Sequence, residues 1–239
     1  MRDRADRVLF ELGLVTTRSQ AKSLIEKGDV TVNGRVLQKS GDIISSTDTI
    51  QIGSPQFVGR GAFKLLHAIN EFDFSCKDLV FLDIGASTGG FTEILLKFGA
   101  RRVYAIDVGH QQLAPKLRQD PKVVNLEGTN IREVTSLPEI ADGAVIDLSF
   151  ISLTKVLLSL KKLLKSDALV IALVKPQFEA GIERLPKDGV IKDEKLQAQI
   201  LKEVIDFANQ NGWNVLRVTD SPIEGKSGNR EYLALLQSV

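Results

Sequence analysis

The sequence predicts an α/β protein, a doubly wound and mainly parallel sheet of about seven strands with the last strand antiparallel, preceded by a small α+β domain. Three observations predict this fold. Strand-like and helix-like segments alternate after residue 59, a glycine-rich turn joins the first of these strands to a helix, and an Asn-Gly hairpin follows two short helices near the start. We place the small domain at 1–53, a linker at 54–58 and the large domain at 59–239.

The small domain is predicted from local signals. Apolar residues at helical spacing mark a first helix over 4–12, and a Thr17-x-x-Gln20 capping box opens a second helix that ends at Gly28. The segment 30–36 alternates around Asn-Gly, which favours a tight hairpin, and 49–52 adds a further strand. Basic side chains lie on the polar sides of both helices, and by composition alone they form a solvated, charge-decorated face, since acids are interspersed.

A glycine-rich corner over residues 80–93 organises the large domain. An apolar strand ends at Gly85, a turn runs to Gly90, and a helix follows. The dinucleotide fingerprint has a glycine where Ser87 stands, so a pyrophosphate ligand is disfavoured, and no P-loop motif occurs. The next strand ends in Asp107, where such folds place a carboxylate on ribose hydroxyls. A ligand with a ribose but no phosphate fits both observations, and S-adenosylmethionine (SAM) is the common one. The alternative is that Asp107 only ends a strand and the glycines only turn.

Charged residues stand at the carboxyl ends of four predicted strands. Asp83, Asp107, Asp147 and Lys175 hold these positions, and in open α/β sheets such positions line one crevice. A lysine directly after the buried apolar strand 168–174 is costly unless a carboxylate or ligand pairs with it. Asp147, which we place within a strand over 145–150, is the expected partner. A structural ion pair at the rim of the sheet is the alternative interpretation.

Composition excludes several classes of protein. The formal net charge is +1, so a nucleic-acid surface must be a local patch. The longest aliphatic run, Ala168 to Val174, is far shorter than the ~18 residues of a membrane span, and no signal peptide is visible. The single Cys76 suits a reducing cytosol, and two isolated histidines make no metal cluster. We therefore expect a cytoplasmic protein with no membrane association and no metal.

The strand-end motifs also narrow the chemistry. Loops that hold exocyclic amines for methylation usually carry paired prolines, whereas Asp147 is followed by Leu-Ser-Phe, so base amine methylation is disfavoured. Cys76 lies outside the glycine corner, which disfavours covalent methylation of a pyrimidine carbon. A helix with a buried apolar stripe begins after Gly61. Lys64 and His67 lie on its other face, where the spacing by itself predicts a solvated lysine.

The small domain resembles a known RNA-binding family. The matching pattern is Arg4-x-Asp6-x-x-Leu9, Gly13, Thr17-Arg18-x-x-Ala21, Ile25-x-x-Gly28 and Val30-x-Val32-Asn33-Gly34, and it is similar to the RNA-binding domain named for ribosomal protein S4. This family binds structured RNA through its helix pair. The resemblance therefore implies that the basic residues of the two helices contact RNA: Arg4, Arg7, Arg18, Lys22 and Lys27.

Five motifs of the large domain carry a second resemblance. They are Gly59-Arg60-Gly61-Ala62-x-Lys64-Leu65, Asp83-x-Gly85-Ala86-Ser87-Thr88-Gly89-Gly90-Phe91-Thr92, Asp147-Leu148-Ser149-Phe150-Ile151-Ser152, Val174-Lys175-Pro176-Gln177-Phe178-Glu179 and Gly228-Asn229-x-Glu231-Tyr232. With these motifs the chain resembles the TlyA family, proteins once labelled hemolysins and now grouped with FtsJ-type ribose 2'-O-methyltransferases, which have a Rossmann-like SAM-dependent sheet. The resemblance implies a catalytic tetrad of Lys64, Asp147, Lys175 and Glu231. It further implies that SAM is bound by Asp83, Gly85, Ser87, Gly89, Gly90, Phe91, Asp107, Val108 and Asn130, and that Arg60 contacts RNA.

The implied reaction is SAM-dependent 2'-O-methylation of ribose, with cytidine in ribosomal RNA as the usual target and ribosomal subunits as partners. Lys175 would deprotonate or orient the 2'-hydroxyl, Lys64 would position the substrate, and the two carboxylates would anchor the lysines. An equally open version has positioning alone and no discrete base. The polar segment 177–192 is expected to cover the site. Two other hypotheses stay open: a membrane-lytic protein, as the hemolysin label suggests, and a catalytically silent RNA-binding or ribosome-assembly factor.

Overall fold

The computed structural model describes residues 2–15, 17–53 and 57–239. The chain divides into two compact units between Phe57 and Val58. Most of the linker predicted at 54–58 lies outside the described residues, so its bounds stay a prediction. The backbone N–H of Val58 donates to a carboxylate oxygen of Glu93 at 2.8 Å, which ties Val58 to the second unit.

The first unit is built from two helices and two small sheets. Its elements are β1 (Arg2–Arg4), α1 (Ala5–Glu11), α2 (Arg18–Lys27), β2 (Val30–Val32), β3 (Arg35–Val36), β4 (Ile43–Ser45) and β5 (Ile50–Ile52). The Thr17 hydroxyl accepts a hydrogen bond from the backbone N–H of Gln20 at 3.1 Å, so the predicted cap starts α2. Asn33 and Gly34 both have positive φ, which is the geometry of the predicted hairpin turn.

Two strands of this unit, β1 and β4, were not predicted from the sequence. β1 pairs antiparallel with β4, while β2 lies between β3 and β5. Strands β1 and β4 have three residues each, too few to show alternation, and they pair across about forty residues of chain. The two helices bury Ala5, Val8, Leu9, Ala21 and Ile25 in a core of their own.

The second unit is one seven-stranded mixed sheet with helices around it. Its elements are α3 (Gly61–Phe72), β6 (Val80–Ile84), α4 (Gly90–Lys97), β7 (Arg102–Asp107), α5 (Pro115–Arg118), β8 (Val123–Glu127), β9 (Ala141–Ile146), α6 (Leu153–Leu160), β10 (Leu164–Val174), α7 (Pro176–Glu179), α8 (Glu194–Gln210), β11 (Trp213–Asp220) and β12 (Tyr232–Ser238). The strand order is β11-β12-β10-β9-β6-β7-β8. Strands β6 to β10 pair in parallel and β12 is antiparallel to both of its neighbours, which confirms the predicted fold class.

The topology fixes where a ligand can bind. From β6 the chain adds β7 and β8 on one side, then returns to add β9 and β10 on the other. Strand β6 is buried along its whole length, and its ends meet those of β9. A crevice opens where the strand order reverses, beyond the carboxyl ends of β6 and β9. The charged strand ends predicted from the sequence therefore surround the crevice.

Two predicted strands had wrong bounds. Strand β10 begins at Leu164, four residues before the predicted start at Ala168. We predicted a strand over 145–150, but β9 runs from Ala141 to Ile146, and the backbone N–H of Asp147 makes its last bond to β6, at 2.9 Å to the Ile84 carbonyl. The first half of β9 contains Asp142 and Gly143, two residue types with low strand propensity, so the sequence pattern does not show that the strand begins at Ala141. Residues 148–150 therefore leave the sheet and enter the crevice.

Candidate active site

Four charged side chains meet at one edge of the sheet. The ammonium of Lys64 lies 2.6 Å from Glu231 Oε2, and that of Lys175 lies 2.6 Å from Asp147 Oδ1. The two pairs are neighbours, because Lys64 Nζ is also 4.0 Å from Asp147 Oδ2. The structure thus brings together the four residues of the predicted tetrad as two crossed ion pairs.

Strand register explains this convergence. Ala172 of β10 pairs with Ile146 of β9, so Lys175 and Asp147 follow adjacent parallel strands as these end. Val174 pairs with Tyr232 of the antiparallel β12, so Glu231 enters the sheet at the edge where Lys175 leaves it. Lys64 comes from the first turn of α3. Parallel strand ends and one antiparallel strand start therefore share a single edge.

The two lysines are buried, so each needs a carboxylate partner to remain charged inside the protein. Lys64 and Glu231 are each 3% exposed, and Lys175 is also buried. Helical spacing alone predicted Lys64 to be solvated, and this was wrong. The reason is tertiary, since a carboxylate 167 residues away covers the lysine. A buried ammonium without that partner would be strongly destabilising.

The glycine turn is shaped by its neighbours. Gly85 has φ +86°, and a Cβ there would meet the backbone carbonyl of Asp147, so only glycine fits. Gly89 also has positive φ, and Gly90 and Phe91 begin α4. The backbone N–H of Ser87 donates to one oxygen of Asp107 at 2.8 Å, and that of Gly109 donates to the other at 2.7 Å. These bonds fix the Asp107 carboxylate at the strand end.

Three neighbouring cavities lie along the turn. The largest of them, about 910 Å³, contains the tetrad and is also lined by Arg60, Ser87 and Phe178. A second, about 160 Å³, lies against Gly85, Ser87, Gly90 and Phe91. A third, also about 160 Å³, is lined by Asp107, Val108 and Asn130. Gly85 borders all three, and the predicted cofactor residues other than Asp83 and Gly89 each line at least one of them.

Two of the predicted cofactor residues have distinctive settings. Asp83 is fully buried, accepts a hydrogen bond from the Thr92 hydroxyl at 2.6 Å through Oδ2, and its Oδ1 has no hydrogen-bond partner among the described residues. Burial raises the pKa of Asp83 to about 7. Asn130 uses its side-chain oxygen to cap a short 3₁₀ turn at Arg132 N–H, so its amide is held at the cavity wall.

An aromatic pair next to the tetrad was missed as a site feature. Phe150 adopts φ +64°, a strained conformation for an aromatic residue, and its side chain is 91% exposed. Its ring lies 5.1 Å from that of Phe178, whose centroid is 5.8 Å from the Lys175 ammonium. The Ser149 hydroxyl accepts a second hydrogen bond from Lys175 at 3.2 Å. An aromatic residue just beyond a strand-end acid is the signal that would have found it.

A buried amide, also missed, ties two loops at the site. Asn229 is 2% exposed, accepts from the backbone N–H of Ile191 at 3.0 Å and donates to the Gly189 carbonyl at 2.9 Å. At the other end of the segment 177–192, Glu179 accepts from the Ser152 hydroxyl at 2.6 Å. The segment expected to cover the site is thus attached at both ends.

The predicted RNA-contacting residues differ in their partners. Asp6 lies 3.0 Å from the Arg4 guanidinium and 2.7 Å from that of Arg18. The other pairs are Arg7 with Asp3 and Glu11, and Lys22 with Glu26. Within residues 2–15, 17–53 and 57–239, Lys27 and Arg60 make no ion pair and are exposed.

Comparisons with known proteins agree along the whole chain. The model of the FtsJ-like methyltransferase family matches residues 57–238, and that of the S4 domain matches residues 3–50. The chain is 42% identical over 244 residues to the 16S/23S rRNA (cytidine-2'-O)-methyltransferase TlyA of Mycobacterium tuberculosis, covering 99% of this chain and 90% of that one. It is 41% identical over 235 residues to hemolysin A of Brachyspira hyodysenteriae, covering 97% and 98%.

Solved structures support the same family and the same fold. A Streptococcus thermophilus structure that carries hemolysin in its name superposes with a TM-score of 0.76 at 39% identity, over 100% of this chain and 89% of that one. An S-adenosylmethionine-dependent methyltransferase from Mesorhizobium loti, 13% identical, gives 0.54 over 72% and 96%, which supports the fold alone. Among the described residues, no helix has the length and apolarity needed to cross a membrane.

The family match, the full-length relatives and the crossed ion pairs beside the glycine turn lead to one assignment: the chain belongs to the TlyA group of FtsJ-like methyltransferases, with an N-terminal S4 domain.

Proposed function

We propose that this protein transfers a methyl group from SAM to the ribose 2'-oxygen of a cytidine in ribosomal RNA, in the cytoplasm. The observation that carries the proposal is the meeting of Lys64, Asp147, Lys175 and Glu231 beside the glycine turn. Relatives named as rRNA (cytidine-2'-O)-methyltransferases support the substrate, including a 23S enzyme from Campylobacter jejuni that is 36% identical.

The crevice fits SAM by the chemistry of its lining. The unpartnered Oδ1 of Asp83 is a buried acceptor suited to an ammonium group, and Asp107, at the end of β7, is suited to ribose hydroxyls. Val108 and Asn130 would border the adenine. Ser87 and the glycines of the turn would leave room for the rest of the SAM molecule in the cavity that Phe91 also lines.

The tetrad would orient the accepting oxygen. Bound SAM supplies an electrophilic methyl group, so the 2'-hydroxyl needs its oxygen held in line and its proton removed. Lys175 donates to Asp147 and to Ser149, which leaves its remaining N–H for the substrate oxygen. Lys64, held by Glu231, would fix Asp147 from the other side. In this arrangement the lysines would position the hydroxyl, and Asp147, which lies within 4.0 Å of both ammonium groups, would be the carboxylate that accepts its proton.

RNA would meet both units. The S4 domain presents Arg4, Arg7, Arg18, Lys22 and Lys27 for phosphate contacts. In the large unit, the exposed Phe150 ring is a flat apolar surface on which an unstacked base can lie, next to Arg60 in the same cavity.

The test is transfer of tritiated methyl from SAM to ribosomal subunits from a strain lacking this modification, followed by nucleoside digestion. Label on 2'-O-methylcytidine is expected, and label on a base would refute the proposal. Lys175→Ala should reduce transfer at least 100-fold, whereas Lys162→Gln, at the opposite edge of the sheet, should not. Unchanged transfer by Lys175→Ala would instead favour a role in binding RNA. Leakage of dye from liposomes tests the hemolysin name directly.

A further inference from the structure

The charges that line the large cavity separate into two classes. Lys64 and Lys175 are buried and neutralised by Glu231 and Asp147. Two further cations line the same cavity, Arg60 and Lys226. Both are exposed, and within the part of the chain that the structure describes neither forms an ion pair. The centre of the cleft therefore has two positive and two negative charges. Its exposed rim has two positive charges that no described carboxylate neutralises.

The two rim cations stand on different walls. Arg60 precedes α3, one turn before Lys64. Lys226 lies in the turn that leads to Glu231, the partner of Lys64. Lys64 and Glu231 are in contact, so the segments that carry Arg60 and Lys226 meet at the tetrad, and both side chains line its cavity.

The turn that carries Lys226 is firmly held. The backbone N–H of Gly225 donates to the Asn229 carbonyl at 2.8 Å, and that of Gly228 donates to the Gly225 carbonyl at 2.9 Å. A Cβ on Gly225 would come within 2.5 Å of Glu231 Oε1, so the backbone just before Lys226 lies against the tetrad. Asn229 fixes the end of the turn through its buried amide. These hydrogen bonds fix the backbone on both sides of Lys226, whereas its ammonium is exposed and forms no ion pair with the described residues.

A ribose within an RNA chain has a phosphodiester on each side. Such a substrate presents two negative charges that flank the sugar, and the cavity of the tetrad is lined by two exposed cations that could bind them. Resting on the proposed function, we infer that Lys226 binds a backbone phosphate next to the target ribose, opposite the phosphate bound by Arg60. The contact is to the backbone, so it fixes the sugar over Lys175 without selecting the base.

Salt dependence tests this inference. Binding of 23S ribosomal RNA transcribed in vitro is measured for the full-length protein, with bound SAM, between 50 and 200 mM KCl. Loss of one phosphate contact lowers the slope of log affinity against log salt by about 0.7 to 0.9. Lys226→Gln should show this loss and about fivefold weaker binding at 50 mM KCl. Lys226→Arg should restore the wild-type slope. In methyl transfer, Lys226→Gln should raise KM for RNA by a similar factor and change kcat less than twofold.

Lys162→Gln is the matched control, because it removes the same charge from an exposed lysine that forms no ion pair among the described residues and lies at the amino end of β10, away from the cleft. A slope for Lys226→Gln equal to that of Lys162→Gln would overturn the inference. So would a wild-type KM together with a fall in kcat. These results are distinct from failure of the proposed function, which appears as absence of ribose methylation by the wild-type protein.

Discussion

The ammonium of Lys64 lies 2.6 Å from a carboxylate oxygen of Glu231, although 167 residues separate them along the chain. Both side chains are almost completely buried. A buried ion pair contributes little net stability compared with an apolar pair of the same size, but removing one partner leaves a charge without compensation. The pair is therefore explained better by the site it builds than by the stability of the fold.

Glu231→Gln should lower the free energy of unfolding by about 3 kcal/mol, because the buried Lys64 ammonium loses its partner at 2.6 Å and keeps only Asp147, which is 4.0 Å away and already paired with Lys175. Urea denaturation at pH 7 measures this change. The double variant Lys64→Met with Glu231→Leu should recover most of the lost stability and still lack methyl transfer. If the double variant retains transfer, the pair has no role in the reaction; if Glu231→Gln is as stable as the wild type, the pair is not buried as described.

Asp83 should make ligand binding depend on pH. Burial raises its pKa to about 7, and its unpartnered oxygen suits the ammonium of the ligand's methionine moiety, so the ionised form should bind more tightly. With a pKa of about 7, the ionised fraction rises about tenfold from pH 6 to pH 8. The affinity for S-adenosylhomocysteine, measured by calorimetry, should rise by about that factor. Asp83→Asn should abolish the dependence, and an equal dependence in that variant would assign it to another group.

The same carboxyl should affect stability in the opposite direction. A folded-state pKa above the unfolded value of about 3.9 means that the folded protein binds the proton more tightly. The stabilising contribution of Asp83 is therefore complete below about pH 4 and is lost as pH rises to about 7. In the absence of ligand, wild-type stability should fall relative to Asp83→Asn across this range, as measured by urea denaturation at several pH values.

Asn229→Ala should release the segment that ends at Ile191. The amide makes two hydrogen bonds to that backbone, so their loss should speed hydrogen exchange of the peptide covering 189–191 by at least tenfold. KM for RNA should rise more than kcat falls, because the wall of the cleft loosens while Lys175 and Asp147 stay paired. Asn211→Ala removes an amide from the end of α8 and is the matched control. Unaltered exchange at 189–191 would contradict this role.

Asp6→Asn should weaken RNA binding although it makes the protein more positive. Asp6 is buried and holds the guanidiniums of both Arg4 and Arg18, so its loss should disorder two predicted RNA contacts and cost about 2 kcal/mol of stability. Glu26→Gln is the charge-matched control, since it frees Lys22 from an exposed pair 3.7 Å long. We expect that control to bind RNA as tightly as the wild type or more tightly, in a filter-binding assay. Tighter binding by Asp6→Asn would show that charge alone governs this surface.

Local sequence determined much of this protein. The Thr17 cap and the Asn33-Gly34 turn each depend on residues a few positions apart, so their conformations follow from the sequence around them. The same holds for Asp107 at the end of its strand. The glycine corner is recognisable from its local pattern, although its final geometry also uses Asp107 and Asp147. Alternating strands and helices then restrict the topology to a few arrangements, and the resemblance of short motifs named the tetrad before any geometry was known.

Tertiary structure alone decided which of these side chains are buried, and with whom. Lys64 lies on the polar face of its helix, where a solvated residue is expected. It is buried because Glu231, from the other end of the chain, packs against it. Asn229 joins loops 38 residues apart, and β1 pairs with β4 across the first unit. Periodicity reports which face of an element is apolar but not which distant segment will cover a polar residue, because that depends on strand order and register.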